Sequence, residues 1–267
     1  MKKIIGYRLF ALMYRIGCML KPDCNRYFCV MTHDGSKQGS VGVVISAIME
    51  KNADARFTCY RKENKAKKAL FDLFMVKPLQ LARAGTVLLD NEFLPMAYIN
   101  LRRGVKVVQL WHGTGTIKKF GHDISSGKEL DIVKRADSKI THLIVNAEYT
   151  GKLYAHTFGV GDDKVYVTGI PKTDMLFDRL LLDGMAHSFY ADYPELKGKR
   201  LILYAPTFRD SQVDRPQVMI DLKKWIDNTD DDTVLLLRLH PFVAKNFEGS
   251  RDVRHTGRIY DMSGYEN

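Results

Sequence analysis

Apolar positions fall into short continuous runs: Tyr27 to Met31, Thr86 to Leu89, Val105 to Leu110, Leu143 to Val145, Val165 to Val167, Leu201 to Tyr204 and Val234 to Leu239. Longer mixed segments, punctuated by Gly and Pro, separate them. A run that is apolar throughout suits a strand buried on both faces, and helix-length spacers supply the crossovers that parallel strands need. The pattern predicts an α/β fold. The turn-rich stretch Gly159 to Pro171 is the nearest thing to a boundary. It divides the chain into two Rossmann-like halves, residues 25–170 and 171–267. Near the end, Arg258 to Met262 begins one more strand-and-turn pattern before Asn267. A sheet with so few strands has an unpaired edge and too little helical cover, so the second half is expected to be incomplete.

Ahead of the first strand, residues 1–24 predict an amphipathic helix. Ile4, Ile5, Leu9, Phe10, Leu12, Met13, Ile16, Met19 and Leu20 alternate with Lys2, Lys3, Arg8, Arg15 and Lys21, with no acidic residue among them. Arg8 and Arg15 share one helical face. Such a helix either lies in an anionic bilayer interface or packs on the first half with its arginines in solvent.

Composition narrows the classes. With 267 residues, 45% of them hydrophobic, the chain can bury a sizeable core. Its apolar stretches fall far short of the ~20 residues that span a bilayer. The basic N-terminus is interrupted by Arg15 and Lys21 and lacks a small-residue cleavage site. The expected location is cytoplasmic, peripheral on the inner face of the cell membrane. Cys18, Cys24, Cys29 and Cys59 form no CxxC pair and have no His at zinc spacing, so they read as reduced packing thiols. A formal charge of +10 implies a face that meets phosphates, whether of nucleic acid, anionic lipid or a nucleotide-activated substrate. The basic cluster from Arg61 to Lys68 has no interleaved aromatic residues for base stacking, which argues against nucleic acid.

Candidate chemistry gathers at strand ends, where ligands bind in open α/β sheets. Trp111-His112-Gly113-Thr114-Gly115-Thr116 follows the run ending at Leu110. Glycines around His112 let a substrate approach, and an imidazole takes up a hydroxyl proton near neutral pH, so His112 is the candidate general base. The plain alternative is a core histidine hydrogen-bonded beside Trp111. Tyr204-Ala205-Pro206-Thr207-Phe208-Arg209-Asp210 and Arg238-Leu239-His240-Pro241 end the next two strands. If those strands pair in parallel, Thr207, Arg209, Arg238 and His240 reach one edge with the donors a pyrophosphate needs. Alternatively, Arg209 pairs with Asp210 and Arg238 caps its strand. Gly169 and Pro171 form a turn and a helix start whose amides favour anions, although any strand-turn-helix junction looks similar. Thr32-His33-Asp34-Gly35 and Gly39 to Gly42 match neither the Walker pattern nor GxGxxG and read as a βα turn, with His33 and Asp34 near the cleft. Asp230-Asp231-Asp232 reads as a solvated loop rather than a metal site.

Five blocks now stand in order: Gln109 to Thr114, Lys118 to Gly121, Thr168 to Asp174, Ile202 to Asp210, and Leu237 to Pro241. Together they resemble the CDP-glycerol glycerophosphotransferase family, the teichoic acid glycerol and ribitol phosphate transferases. The resemblance runs from about Leu81 to Asp261, with Leu88-Leu89-Asp90-Asn91 as its first clear piece. It implies a GT-B-like architecture with an acceptor-side domain followed by a CDP-donor domain. It also implies His112 as base, with His240 and Arg238 facing the donor phosphates and Gly113, Thr114, Gly169, Pro171, Thr207 and Arg209 binding substrate. The implied partners are CDP-glycerol or CDP-ribitol, a lipid-linked polyol phosphate or glycan acceptor, and an anionic membrane surface, with no nucleic acid. Neither a metal nor a cofactor is required. Gly115 departs from the Pro of better-known members. Similar proteins continue into an Asp-Tyr-Ser-Ser turn at the donor pyrophosphate, so this chain alone is expected to be inactive. The alternatives are another GT-B nucleotide-sugar transferase or epimerase, or a truncated inactive remnant.

Overall fold

The computed structural model describes residues 2–61, 67–113, 115–117, 119–207, 218–240, 244 and 257–265. The chain divides into two compact units, Met1–Phe177 and Asp178–Asn267. The turn Pro171–Phe177 therefore belongs with the first unit, as does the N-terminal helix.

In the first unit, helix α1 (Lys2–Gly17) precedes β1 (Asp23–Met31), α2 (Ser40–Lys51), β2 (Arg56–Arg61), α3 (Lys67–Phe71) and α4 (Lys77–Leu81). Then come β3 (Ala84–Leu89), β4 (Lys106–Gln109), α5 (Gly127–Asp137), β5 (His142–Val145), α6 (Glu148–Phe158) and β6 (Val165–Val167). The six strands pair in parallel in the order β2-β1-β3-β4-β5-β6. Both sheet faces are covered. Phe28, Val30, Val87, Leu89 and Val107 pack with α1 and α4, while Cys29, Met31 and Leu88 pack with Val41 of α2. Order reverses at β1, because β2 lies on one side of it and β3 on the other. That switch point leaves a crevice at the carboxyl ends of β1 and β3, where doubly wound sheets bind their ligands.

Helix α1 is part of this core. Phe10, Tyr14 and Gly17, four and then three residues apart, form its buried face, and Phe10 meets Phe93 edge-on at 5.8 Å. Gly17 is required for the close approach to α4, since a Cβ there would lie 2.7 Å from the Ala82 Cβ and 2.9 Å from the Leu79 Cα. The Arg102 guanidinium donates to the carbonyls of Cys18 and Leu20, satisfying acceptors left open at the helix end. Among the described residues no helix is long and apolar enough to cross a membrane.

In the second unit, α7 (Arg179–Asp192) leads into β7 (Arg200–Tyr204), α8 (Leu222–Asp227), β8 (Thr233–Leu237) and β9 (Ile259–Asp261). The three strands are parallel, in the order β7-β8-β9. Leu235 and Leu237 pack toward Trp225 and Ile226 of α8, while Val234 and Leu236 pack toward Phe189 and Tyr193. Arg258 is almost fully buried and donates to the carbonyls of Ile226, Thr229 and Asp230, binding the turn before β8 to the start of β9. Asp231 accepts from Arg258 and Asp232 from Lys199, so both carboxylates are engaged in ion pairs.

Candidate active site

Three strand ends of the first unit converge on Asp90, the residue after β3. It is 2% exposed, and its carboxylate accepts the backbone N–H of Thr32 (2.9 Å), His33 (3.1 Å) and Asp34 (3.0 Å), the residues after β1. Its own carbonyl lies 2.8 Å from Nδ1 of His112, which follows β4. A carbonyl only accepts, so Nδ1 carries the hydrogen of a neutral His112 ring and Nε2 keeps its lone pair. That is the tautomer a general base needs. The His33 ring lies on the His112 ring with centroids 3.8 Å apart and planes 12° from parallel.

The backbone that delivers His112 is unusual. Trp111 has a φ of 54°, in the left-handed region that bulky residues avoid. Several contacts hold it there. Its N–H donates to Oε1 of the fully buried Gln109 at 3.0 Å, and its indole stacks on Phe120 at 5.0 Å and meets Phe158 edge-on at 5.1 Å. Beyond His112, the Tyr154 hydroxyl donates to the carbonyls of Gly113 and Gly115 and fixes the loop. Farther along, in the turn Gly121–Asp123, His122 Nε2 lies 3.2 Å from Oδ2 of Asp137, although neither buried atom makes a hydrogen bond. Burial, with a contribution from Glu92, pushes the Asp137 carboxyl up to about 8, and burial followed by Lys134 lowers the His122 imidazole.

A cavity of about 350 Å³ opens beside these groups. His33, Asp34, Asp90, Trp111 and His112 form one wall. The other comes from the turn after β6, through Ile170, Lys172, Thr173, Met175 and Leu176. Gly169, at φ 89°, bends the chain there, and Pro171 opens the turn. Lys172 Nζ reaches Asp34 Oδ2 at 2.7 Å and closes one side of the cavity. Burial works against the Asp34 charge, but Lys172 and the Ser36 donors outweigh it and hold the carboxyl at about 2.

Of the residues singled out from sequence, His112 lines this cavity, Gly113 carries the carbonyl bonded to Tyr154, and Gly169 and Pro171 shape the opposite wall. Thr114 and Arg209 lie outside the described residues. The other three are in the second unit. Tyr204 of β7 and Leu237 of β8 are register partners, so Thr207, Arg238 and His240 follow at one edge. Thr207 is exposed, and Arg238 Nη1 donates to the carbonyls of Met262 (3.1 Å) and Tyr265 (2.7 Å). His240 is half-buried. Sequence reasoning had no role for Asp90, Tyr154 or Lys172. The signal for Asp90 was a carboxylate directly after the apolar run ending at Leu89.

Residues 43–267 match the family described as CDP-glycerol:poly(glycerophosphate) glycerophosphotransferase. The teichoic acid poly(ribitol-phosphate) polymerase of Bacillus spizizenii is 27% identical over 265 residues, covering 96% of this chain and 42% of the relative. The teichoic acid glycerol-phosphate primase of Bacillus subtilis is 28% identical over 200 residues, covering 72% and 50%. The chain thus spans about half the length or less of these curated relatives. A solved structure of the wall teichoic acid polymerase TagF superposes with a TM-score of 0.72 at 17% identity, over 99% of this chain and 68% of that one, which shows a shared GT-B-like fold. Another TagF structure comes from a crystal soaked with CDPG.

Proposed function

This chain belongs to the CDP-glycerol:poly(glycerophosphate) glycerophosphotransferase family, and from that premise we propose that it serves the transfer of glycerol phosphate or ribitol phosphate from a CDP-activated donor to a hydroxyl of a lipid-linked, teichoic-acid-like polymer. One observation carries the reading: Asp90 holds His112 through Nδ1, which leaves Nε2 as the basic nitrogen at the cavity. The acceptor oxygen attacks the donor's β-phosphorus, and the bond from that phosphorus to the CMP oxygen breaks. CMP leaves with the electron pair, while the hydroxyl proton passes to His112 Nε2. On the acceptor side, Gly113, Thr114, Gly169 and Pro171 shape the site. In the second unit, His240 and Arg238, together with Thr207 and Arg209, are assigned to the donor phosphates, where fixed cations and donors stabilise the departing CMP. Donor competition tests this. In a full-length version of the protein, CDP-glycerol or CDP-ribitol is expected to support polymer labelling that UDP-sugars neither support nor compete away. Labelling from a UDP-sugar would instead favour another GT-B transferase.

The same proposal places the protein on the inner membrane surface through α1. Opposite its buried face, Ile5 (62% exposed), Leu12 (55%), Ile16 (46%) and Met19 (86%) lie on the outer side, with exposed Arg8 and Arg15 nearby. Apolar burial and attraction of cations to anionic lipid, ~1 kcal/mol each, favour an interface there. Replacing Ile5, Leu12 and Ile16 together by Ser is expected to abolish sedimentation with anionic vesicles while leaving the melting temperature unchanged. Undiminished sedimentation would move the membrane contact elsewhere.

A further inference from the structure

The stacked partner of His112 has no part in the reading so far. His33 lies upstream of residues 43–267, the span that matches the family. It is nevertheless fixed at the cavity: its N–H is bound by Asp90, and its ring covers that of His112 at 3.8 Å. Imidazole nitrogens make hydrogen bonds in the ring plane, so no proton passes directly between rings stacked face to face. What the two rings exchange is electrostatic influence. Like charges this close oppose each other strongly.

The other groups facing His33 are Asp90, Asp34 and Lys172. Asp34 and Lys172 are paired with each other at 2.7 Å, and the Asp90 carboxylate is taken up by three amides. His112, stacked on the ring, is thus the neighbour left to act on His33. Burial, and then His112, lower the His33 imidazole below its ordinary value. A neutral His33 is the state this environment favours.

We propose that His33 is a positioning residue for the base: no more than one of the two stacked imidazoles carries a positive charge at a time, so His112 can take the acceptor's proton only while His33 is neutral. This rests on the reading of His112 as the base, and it assigns His33 two tasks. Its flat face keeps the His112 ring in plane with the Asp90 carbonyl. Its neutrality leaves room for the positive charge that His112 acquires during transfer.

Two measurements test it. The first is an NMR titration of the His33 ring and does not depend on turnover. In His112→Gln the midpoint of His33 is expected to rise, because the stacked neighbour that can become a cation is gone. An unchanged midpoint overturns the proposal. The second compares, in a full-length version of the protein, His33→Met with His33→Lys, which remove the ring equally but differ in charge. Transfer by the Lys variant is expected to fall at least ~10-fold below that of the Met variant at pH 7 to 8, with KM for the CDP donor unaltered. Equal rates overturn the proposal. The reading of His112 as base fails separately, if His112→Gln retains transfer.

Discussion

In a full-length version of this protein, replacing His112 by Ala is expected to lower polyol phosphate transfer by about 10²- to 10⁴-fold, the range typical for loss of a general base. Stability should fall by no more than about 1 kcal/mol. The two effects separate because of where the residue sits. His112 is half-buried at a cavity wall, where it bonds to the Asp90 carbonyl at 2.8 Å and stacks on the His33 ring at 3.8 Å. One hydrogen bond and a ring stack at a half-exposed wall are lost, whereas the basic nitrogen presented to the acceptor hydroxyl is lost entirely. The donor complex should form with unchanged affinity, since the groups assigned to the CDP phosphates follow β7 and β8 rather than β4. A variant that kept transfer within threefold of the unsubstituted protein would remove His112 from the base role.

The second large effect is expected at Asp90. Substitution by Ala removes the acceptor of three backbone N–H groups, at 2.9, 3.1 and 3.0 Å, in a site where the carboxylate is only 2% exposed. Hydrogen bonds to a charged group contribute about 1.5–3 kcal/mol each, and donors stranded in a buried site cost more than their number suggests. A loss on the order of 3 kcal/mol in unfolding free energy is expected, seen as a lower denaturant midpoint with unchanged slope. Transfer should fall on the order of 10²-fold as well, because the strand end that bears His33 and the carbonyl that orients His112 lose their common support. Asn is not expected to rescue either property: its amide NH₂ would face N–H groups where the second carboxylate oxygen stood. Full stability in the Asn variant would mean that the negative charge has no part in binding the loop after β1.

Much of this architecture was legible from the apolar runs, because strands buried on both faces leave an uninterrupted signature. The runs beginning at Tyr27, Thr86, Val105, Leu143, Val165, Leu201 and Val234 all became strands, and Arg258 to Met262 contains β9. Strand β2 was not legible. Arg56-Phe57-Thr58-Cys59-Tyr60-Arg61 lies at the sheet edge, with exposed arginines at both ends and half-buried residues between them. A charged edge blunts pairing with other chains and also hides the strand from an apolar-run criterion.

The site was legible in part, for a similar reason. His112 stood out because glycines flank it and a strand precedes it. Asp90 could not be assigned, since its partners are backbone amides 56 to 58 positions away in sequence, and amides carry no residue code. Tyr154, on α6, reaches the His112 loop across about 40 residues, at 41 and 39 positions from Gly113 and Gly115. Nothing local marked Trp111 for a left-handed backbone, a conformation that the Gln109 hydrogen bond and the packing of Phe120 and Phe158 impose on it. The helix read from residues 1–24 illustrates a further limit. Periodicity offered a bilayer helix or a packed one, and α1 has a buried face against Phe93 and an outer apolar face at the same time.

The central claim, that Asp90 presents His112 with a bare Nε2 to the acceptor hydroxyl, is tested most directly by ring-nitrogen NMR of His112 above the pH at which the imidazole is protonated. The account predicts hydrogen on Nδ1 and none on Nε2, with the Nε2 resonance moving when a polyol phosphate acceptor is added and the Nδ1 resonance staying in place. Hydrogen on Nε2, or an acceptor-dependent change at Nδ1 instead, would contradict it.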